Sequence, residues 1–155
     1  MINILCPEPE SFSEKGLEYL NNHLSLRAES MNQDTFDQEA PKYDAVLVRF
    51  NTQISSQVIC KNSKIKAIIS PTTGLDHIAL DAVKKMNVKI FHLKGETDFL
   101  QQISGTAELA IGLLLSSIRK IPSCFDAVKK NEWSTERFRG NEVSGKTIGI
   151  IGYGR

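Results

Sequence analysis

An α/β protein with a five-stranded parallel sheet and helices on both of its faces is the fold the sequence predicts. Three observations carry that expectation. Short apolar, β-branched runs alternate along the first 93 residues with stretches that carry apolar residues at helical spacing. The run at 45–50 (AVLVRF) reads as a strand buried in the interior. After Leu93 the alternation stops, and a long apolar helix follows.

Residues 2–6 form the first strand. Ser11 and Glu14 have capping-box spacing, and Leu17, Leu20 and Leu24 then share one helical face. Residues 24–27 read as a weak second strand, and residues 34–40 as a poor helix that Pro41 ends. The strand at 45–50 is followed by a short helix at 55–61, a fourth strand at 66–70, a helix at 80–86 and a fifth strand at 88–93. Strands separated by helices imply crossover connections and a doubly wound sheet. The pattern suits a flavodoxin-like strand order, 2-1-3-4-5, with ligands at the carboxyl ends of the strands.

Residues 94–104 form a polar loop, and a helix then runs over 106–121. Ala107, Ala110, Ile111, Leu114, Ile118 and Ile121 follow i, i+3, i+4, i+7 spacing, while Leu109, Leu113 and Leu115 widen the stripe. That is more apolar surface than one domain covers. Pro122 stops or kinks this helix, a second one spans 123–130, and the polar stretch 133–142 is the best domain boundary. The expected organisation is therefore a domain at 1–104, interdomain helices and a connector at 105–140, and the start of another domain at 141–155.

With 155 residues, 41% hydrophobic and 24% charged residues and a net charge of +1, the composition is that of an ordinary globular protein. No basic cluster exceeds a short pair, so nucleic acid is not an expected partner. No apolar run approaches the ~20 residues of a membrane span. The N-terminus resembles a strand and not a signal peptide. Three scattered cysteines without a C-x-x-C fit reduced thiols in a cytoplasm, and the three histidines show no ligand spacing, so no metal site is expected.

The last residues, GKTIGIIGYGR at 145–155, begin a G-x-G-x-x-G turn. Residues 147–151 read as a buried strand, and Gly152-Tyr153-Gly154 as the turn in which glycines let the backbone approach a pyrophosphate. The third glycine, the helix after it and the acidic residue roughly 20 positions on do not follow within these 155 residues. Alone, the same glycines also suit a plain hairpin turn.

Three loops leave the carboxyl ends of the later strands, at 49–52, 70–77 and 94–97. Thr72-Thr73-Gly74 would present backbone N–H groups in an anion-binding concavity, or form a plain strand-to-helix turn. Arg49 would grip a carboxylate bidentately, or serve as a surface charge. A structural role is expected of His77, whose neighbour Asp76 points elsewhere. Glu108 in the first helical turn suits the helix dipole without any function.

These residues resemble the D-isomer-specific 2-hydroxyacid dehydrogenases. KAIISPTTGLDHI at 66–78 is similar to the strand and G-x-D-x-I loop of that family, and TAELAIGLLL at 106–115 to its V-A-E helix. GKTIGIIGYGR at 145–155 resembles the start of its cofactor domain, and AVLVRFNT at 45–52 its strand ending in R-S-x-T. The matches keep the family's order and weaken before residue 45. The resemblance implies a substrate domain at 1–104, a long helix crossing to a Rossmann domain of which 147–151 is the first strand, and NAD or NADP as cofactor. It implies that backbone groups of Thr73 and Gly74 hold the carboxylate of a small 2-hydroxy or 2-oxo acid, and that Arg49 borders it. Thr106, Gly152, Gly154 and Arg155 match cofactor-side positions, and the helix 106–121 matches a homodimer contact.

The family's catalytic Arg, Glu and His fall beyond the residues matched, so no catalytic residue is assigned and His77 is not that histidine. The chain itself is expected to be inactive and to carry no bound cofactor. Two departures stand out. Ala79 replaces a helix-capping Asp, at about 1 kcal/mol if uncompensated, and the loop at 94–105 is longer than the family's turn. Two other classes compete. A signalling receiver needs an acidic pair after the first strand and an Asp after the third, where this chain has Cys6-Pro7-Glu8 and Arg49-Phe50. A non-catalytic dimerisation or regulatory module derived from such an enzyme stays open.

Overall fold

The computed structural model describes residues 2–153. The chain divides into two compact units, Met1–Glu96 and Thr97–Arg155. In the first unit five strands, β1 (Asn3–Cys6), β2 (Ser25–Ala28), β3 (Ala45–Leu47), β4 (Ala67–Ser70) and β5 (Lys89–His92), form one sheet in the order β2-β1-β3-β4-β5. All four pairings are parallel, with Ile4 opposite both Leu26 and Ala45, Val46 opposite Ile68, and Ile68 opposite Ile90. The strand order is the one the sequence predicts.

Side chains that alternate across the strands split the core into two layers. Leu5, Val46 and Ile68 face one side, where they join Phe36 of α2 (Gln33–Glu39) and Val83 of α3 (Leu80–Lys85). Ile4, Cys6, Ala45 and Leu47 face the other and meet Leu17 and Leu20 of α1 (Glu14–His23), together with Leu24. The helices are therefore wound on both faces, and the ends of the sheet stay free for loops.

Local details depart from the sequence reading for identifiable reasons. Ser13, not Ser11, caps α1, accepting from the Gly16 N–H at 3.2 Å. Ser11 instead lies in a 3-10 turn, Pro9–Ser11, and gives its hydroxyl to Glu8. No helix forms at 55–61. Ile54 is held like a strand residue, donating to the His77 carbonyl at 2.7 Å and accepting from the Ala79 N–H at 2.8 Å, and the chain then turns so that Val58 and Ile59 enter the core. β-branched residues behind two serines favour that turn over a helix. Ala79 precedes α3 without a capping side chain, as its composition requires.

In the second unit a short helix, α4 (Thr97–Leu100), lies inside the stretch read as a loop, followed by α5 (Gly105–Ile118) and α6 (Ile121–Lys129). The helix expected to run to residue 121 ends at Ile118 because Lys120 is left-handed, with φ 54°. Pro122 does not stop α5; it sits in the first turn of α6, where its missing N–H costs nothing. Residues 147–151 form no strand among the described residues, and Ile148, Ile150 and Ile151 are exposed. A central-strand sequence needs neighbouring strands to satisfy its backbone, and none of the described strands pairs with it.

Candidate functional site: the loops at the carboxyl edge of the sheet

The parallel order brings the ends of β1, β3 and β4 to one edge of the first unit. β1 delivers Glu8, which is 2% exposed. Its Oε1 accepts the Arg49 backbone N–H at 2.7 Å and its Oε2 the Ser11 hydroxyl at 3.1 Å. A buried carboxylate without such donors would be costly. Glu8 thereby ties the first loop to the exit of β3. The sequence reading weighed this residue only as a failed receiver position. An acid between two prolines after the first strand is the signal that could have found it.

Arg49 follows β3 and is half-buried. Its Nη1 donates to the Ser11 carbonyl at 3.0 Å, and its Nε is buried with no partner among the described residues. The guanidinium carbon lies 5.5 Å from the Phe50 ring centroid. It is thus neither a free surface charge nor an ion-paired one, and it keeps an unused donor.

β4 ends in Ser70, and the chain enters the Thr72–Thr73–Gly74 loop. The Thr72 hydroxyl donates to the Gly74 carbonyl at 2.7 Å and contacts Ser70 Oγ at 2.9 Å. His77 Nε2 lies 3.0 Å from the same Ser70 Oγ. Burial pushes the His77 imidazole below its ordinary pKa, against the weaker opposing pull of the Glu8 and Asp76 charges. His77 is buried, and its contact with Ser70 ties it to the end of β4. None of the described hydrogen bonds engages the N–H groups of Thr73, Gly74 or Leu75. Gly74 is not left-handed, so the concavity is not the alternating-hand nest, and a methyl group there would make only ordinary contact with Asp76 at 3.5 Å.

A cleft of about 210 Å³ opens beside this loop, lined by Phe50, Gln53, Gly74, Asp76 and His77. Phe50 meets His77 edge-on at 6.0 Å. Arg49 and Gly74 therefore flank Phe50 without a described bond between them. Thr106 sits in the first turn of α5, in the second unit, where Glu108 accepts from the Ser104 hydroxyl. Gly152 adopts φ +85°, the left-handed conformation a tight glycine turn uses, but no strand leads into it. Gly154 and Arg155 lie outside the described residues. The described residues thus supply a single glycine of a nucleotide turn and no cradle for a pyrophosphate. Among them, no group of His, Cys, Asp and Glu converges as metal ligands, and no helix is long and apolar enough to cross a membrane.

A doubly wound parallel sheet with its binding loops gathered at the carboxyl edge is the architecture of a ligand-binding α/β domain. Residues 5–141 match the D-isomer specific 2-hydroxyacid dehydrogenase catalytic domain, and the chain belongs to that family. It is 33% identical over 156 residues to a D-3-phosphoglycerate dehydrogenase of Archaeoglobus fulgidus, covering 99% of this chain and 28% of that protein. It is 29% identical over 131 residues to a hydroxypyruvate reductase of Thermotoga maritima, covering 84% of this chain and 41% of the relative. The chain therefore spans less than half the length of these relatives. Among solved structures, the TT0316 protein of Thermus thermophilus superimposes with a TM-score of 0.78 at 18% identity, over 93% of this chain and 46% of that one. The D-lactate dehydrogenase of Escherichia coli gives 0.70 at 23%, over 99% and 49%. At such identities these two likenesses speak for the fold.

Proposed function

We propose that residues 1–104 are the substrate-binding part of an NAD(P)-dependent oxidoreductase that interconverts D-2-hydroxy acids and 2-oxo acids. In this reading residues 105–140 are the interdomain helices and connector, and residues 141–155 begin the nucleotide-binding domain. The observation that carries it is the loop after β4, whose N–H groups at Thr73 and Gly74 are unengaged beside a cleft of about 210 Å³. Backbone N–H groups held in place recognise a carboxylate without needing a charged side chain. Arg49 borders the substrate, a role supported by the family resemblance and by its place next to Phe50 of the cleft. Thr106, Gly152, Gly154 and Arg155 belong to the cofactor side, and NAD or NADP supplies the hydride chemistry when bound. The protein works in the cytoplasm.

Residues 1–155 alone should not turn over, because the family resemblance puts the catalytic Arg, Glu and His beyond the residues matched. Purified chain should leave NADH and NADPH unoxidised with pyruvate, glyoxylate or hydroxypyruvate, yet pyruvate should shift amides at 49–52 and 72–77 with millimolar affinity, at about −4 kcal/mol. Turnover would overturn the inactivity, and shifts confined to other residues would overturn the site. A homodimer through residues 106–121 completes the proposal, supported by the exposed apolar surface of α5.

A further inference from the structure

The hydroxyls beneath the candidate loop permit a strict accounting of protons. Ser70, Thr72 and His77 are 0%, 3% and 6% exposed, so their polar atoms must be satisfied from within. A carbonyl oxygen can only accept, so the single hydroxyl proton of Thr72 goes to Gly74 O at 2.7 Å. Thr72 Oγ1 must then accept from Ser70, 2.9 Å away, and that uses the only Ser70 proton. Ser70 Oγ must in turn accept from His77, so Nε2, at 3.0 Å, carries the hydrogen. The result is a one-way chain, His77 to Ser70 to Thr72 to the Gly74 carbonyl.

The end of the chain matters most. Thr72 is itself fixed at both backbone groups, its N–H on the Ser70 carbonyl at 2.6 Å and its carbonyl under the Leu93 N–H at 3.0 Å. It therefore presents its hydroxyl from a point anchored to the ends of β4 and β5. The bond to Gly74 closes a short ring around the Thr73 and Gly74 peptides. It also draws the Gly74 carbonyl, a partial negative charge that would repel an anion, toward the buried side. In a planar trans peptide C=O and N–H point in opposite directions, so the Leu75 N–H is turned away from Thr72.

We propose that Thr72 is the positioning residue of the carboxylate loop: its hydroxyl holds the Gly74 carbonyl back and the N–H groups of Thr73, Gly74 and Leu75 forward, with Ser70 and His77 holding Thr72 in that pose. The inference rests on the proposed carboxylate site and adds to it the residue that shapes the donors. Because Nε2 donates in both the neutral and the protonated imidazole, the chain keeps its direction across the titration of His77.

Titration of the ¹⁵N-labelled chain with sodium pyruvate, read at the amides of residues 73–77, tests this in three forms of the protein. Wild type and Thr72→Ser, which keeps the hydroxyl, should give comparable midpoints, while Thr72→Val should weaken binding about tenfold with its core amide shifts unchanged. Equal midpoints for Thr72→Val and wild type would overturn the positioning role and leave the site standing, as would a Thr72→Ser protein as weak as Thr72→Val. Absence of shifts in wild type at about 50 mM pyruvate would overturn the site and the positioning role together. If Thr72→Val does not fold, Ser70→Ala, which breaks the chain at a residue outside the cleft lining, takes its place and should weaken binding about threefold or more. A Ser70→Ala midpoint equal to that of wild type would overturn the proposal.

Discussion

The backbone N–H of Arg49 lies 2.7 Å from Oε1 of Glu8, a residue 41 positions earlier in the chain. Because β1 and β3 are neighbours in the sheet, this one bond sets the exit angle of the β3 loop against the β1 loop. The other Glu8 oxygen takes the Ser11 hydroxyl, whose residue supplies the carbonyl that receives Arg49 Nη1. Glu8→Ala strands two donors in a buried place, and the expected loss of stability is about 1–3 kcal/mol by urea unfolding. Glu8→Gln, which keeps an acceptor, should lose less. Equal losses in both variants would show that the charge and not the acceptor geometry matters.

Acid should destabilise the first unit through His77. Its folded pKa lies below the unfolded value of about 6.5 because burial penalises the imidazolium. Between the folded and unfolded values the unfolded chain holds more protons, so stability is complete above about pH 6.5 and falls as pH drops toward the folded value. One site limits the slope to about 1.4 kcal/mol per pH unit. Urea midpoints taken between about pH 7.5 and 5 should show this decline, and His77→Gln should flatten it. Glu10, Glu39 and Asp44, whose pKa values are lowered by hydrogen bonds, act at lower pH.

Thiol chemistry should separate the cysteines. Cys6 is fully buried at the end of β1, and burial pushes its pKa up to about 11, so at neutral pH it is an inaccessible, protonated thiol. Cys60 and Cys124 are half-buried. A chromogenic disulfide reagent should titrate these two in the native protein and Cys6 only after denaturation. Prompt reaction at Cys6 would mean that the α1 layer opens readily.

The apolar side chains exposed around α5 should drive self-association. Leu109, Ile111 and Leu113 are 63%, 58% and 61% exposed, an apolar surface of the kind that marks an interaction site. Light scattering at micromolar concentration should give a dimer, and Leu113→Glu should return it to a monomer. A wild-type monomer, or a dimer indifferent to that substitution, would place the contact elsewhere or nowhere.

Much of this fold was legible because strand interiors are written locally. Ile4, Leu5, Ala45, Val46 and Ile68 each carry the apolarity that their layer demands, and loop positions such as Thr72–Gly74 follow from where strands end. What could not be read depends on partners far away in sequence. Residues 55–61 read as a helix although β-branched Val58 and Ile59 follow two serines, and the Ile54 bonds to His77 and Ala79, which add to that preference for a turn, depend on residues more than 20 positions away. Glu8 looks like a solvated acid until β3 is placed beside β1. The end of α5 was misplaced because the left-handed Lys120 has no local signature, unlike a glycine at the same point.

Every strand pair in this sheet is parallel, and that has a consequence in time. Asn3 faces Ser25 and Ile4 faces Ala45, so neither side of β1 can close as a hairpin. The chain must pay for long loops before any of these pairings rewards it, which sets refolding in milliseconds to seconds and not microseconds. During synthesis Glu8 emerges well before Arg49, and Thr72 later still. The edge that gathers Glu8, Arg49 and Thr72 therefore depends on pairings that are all distant in sequence.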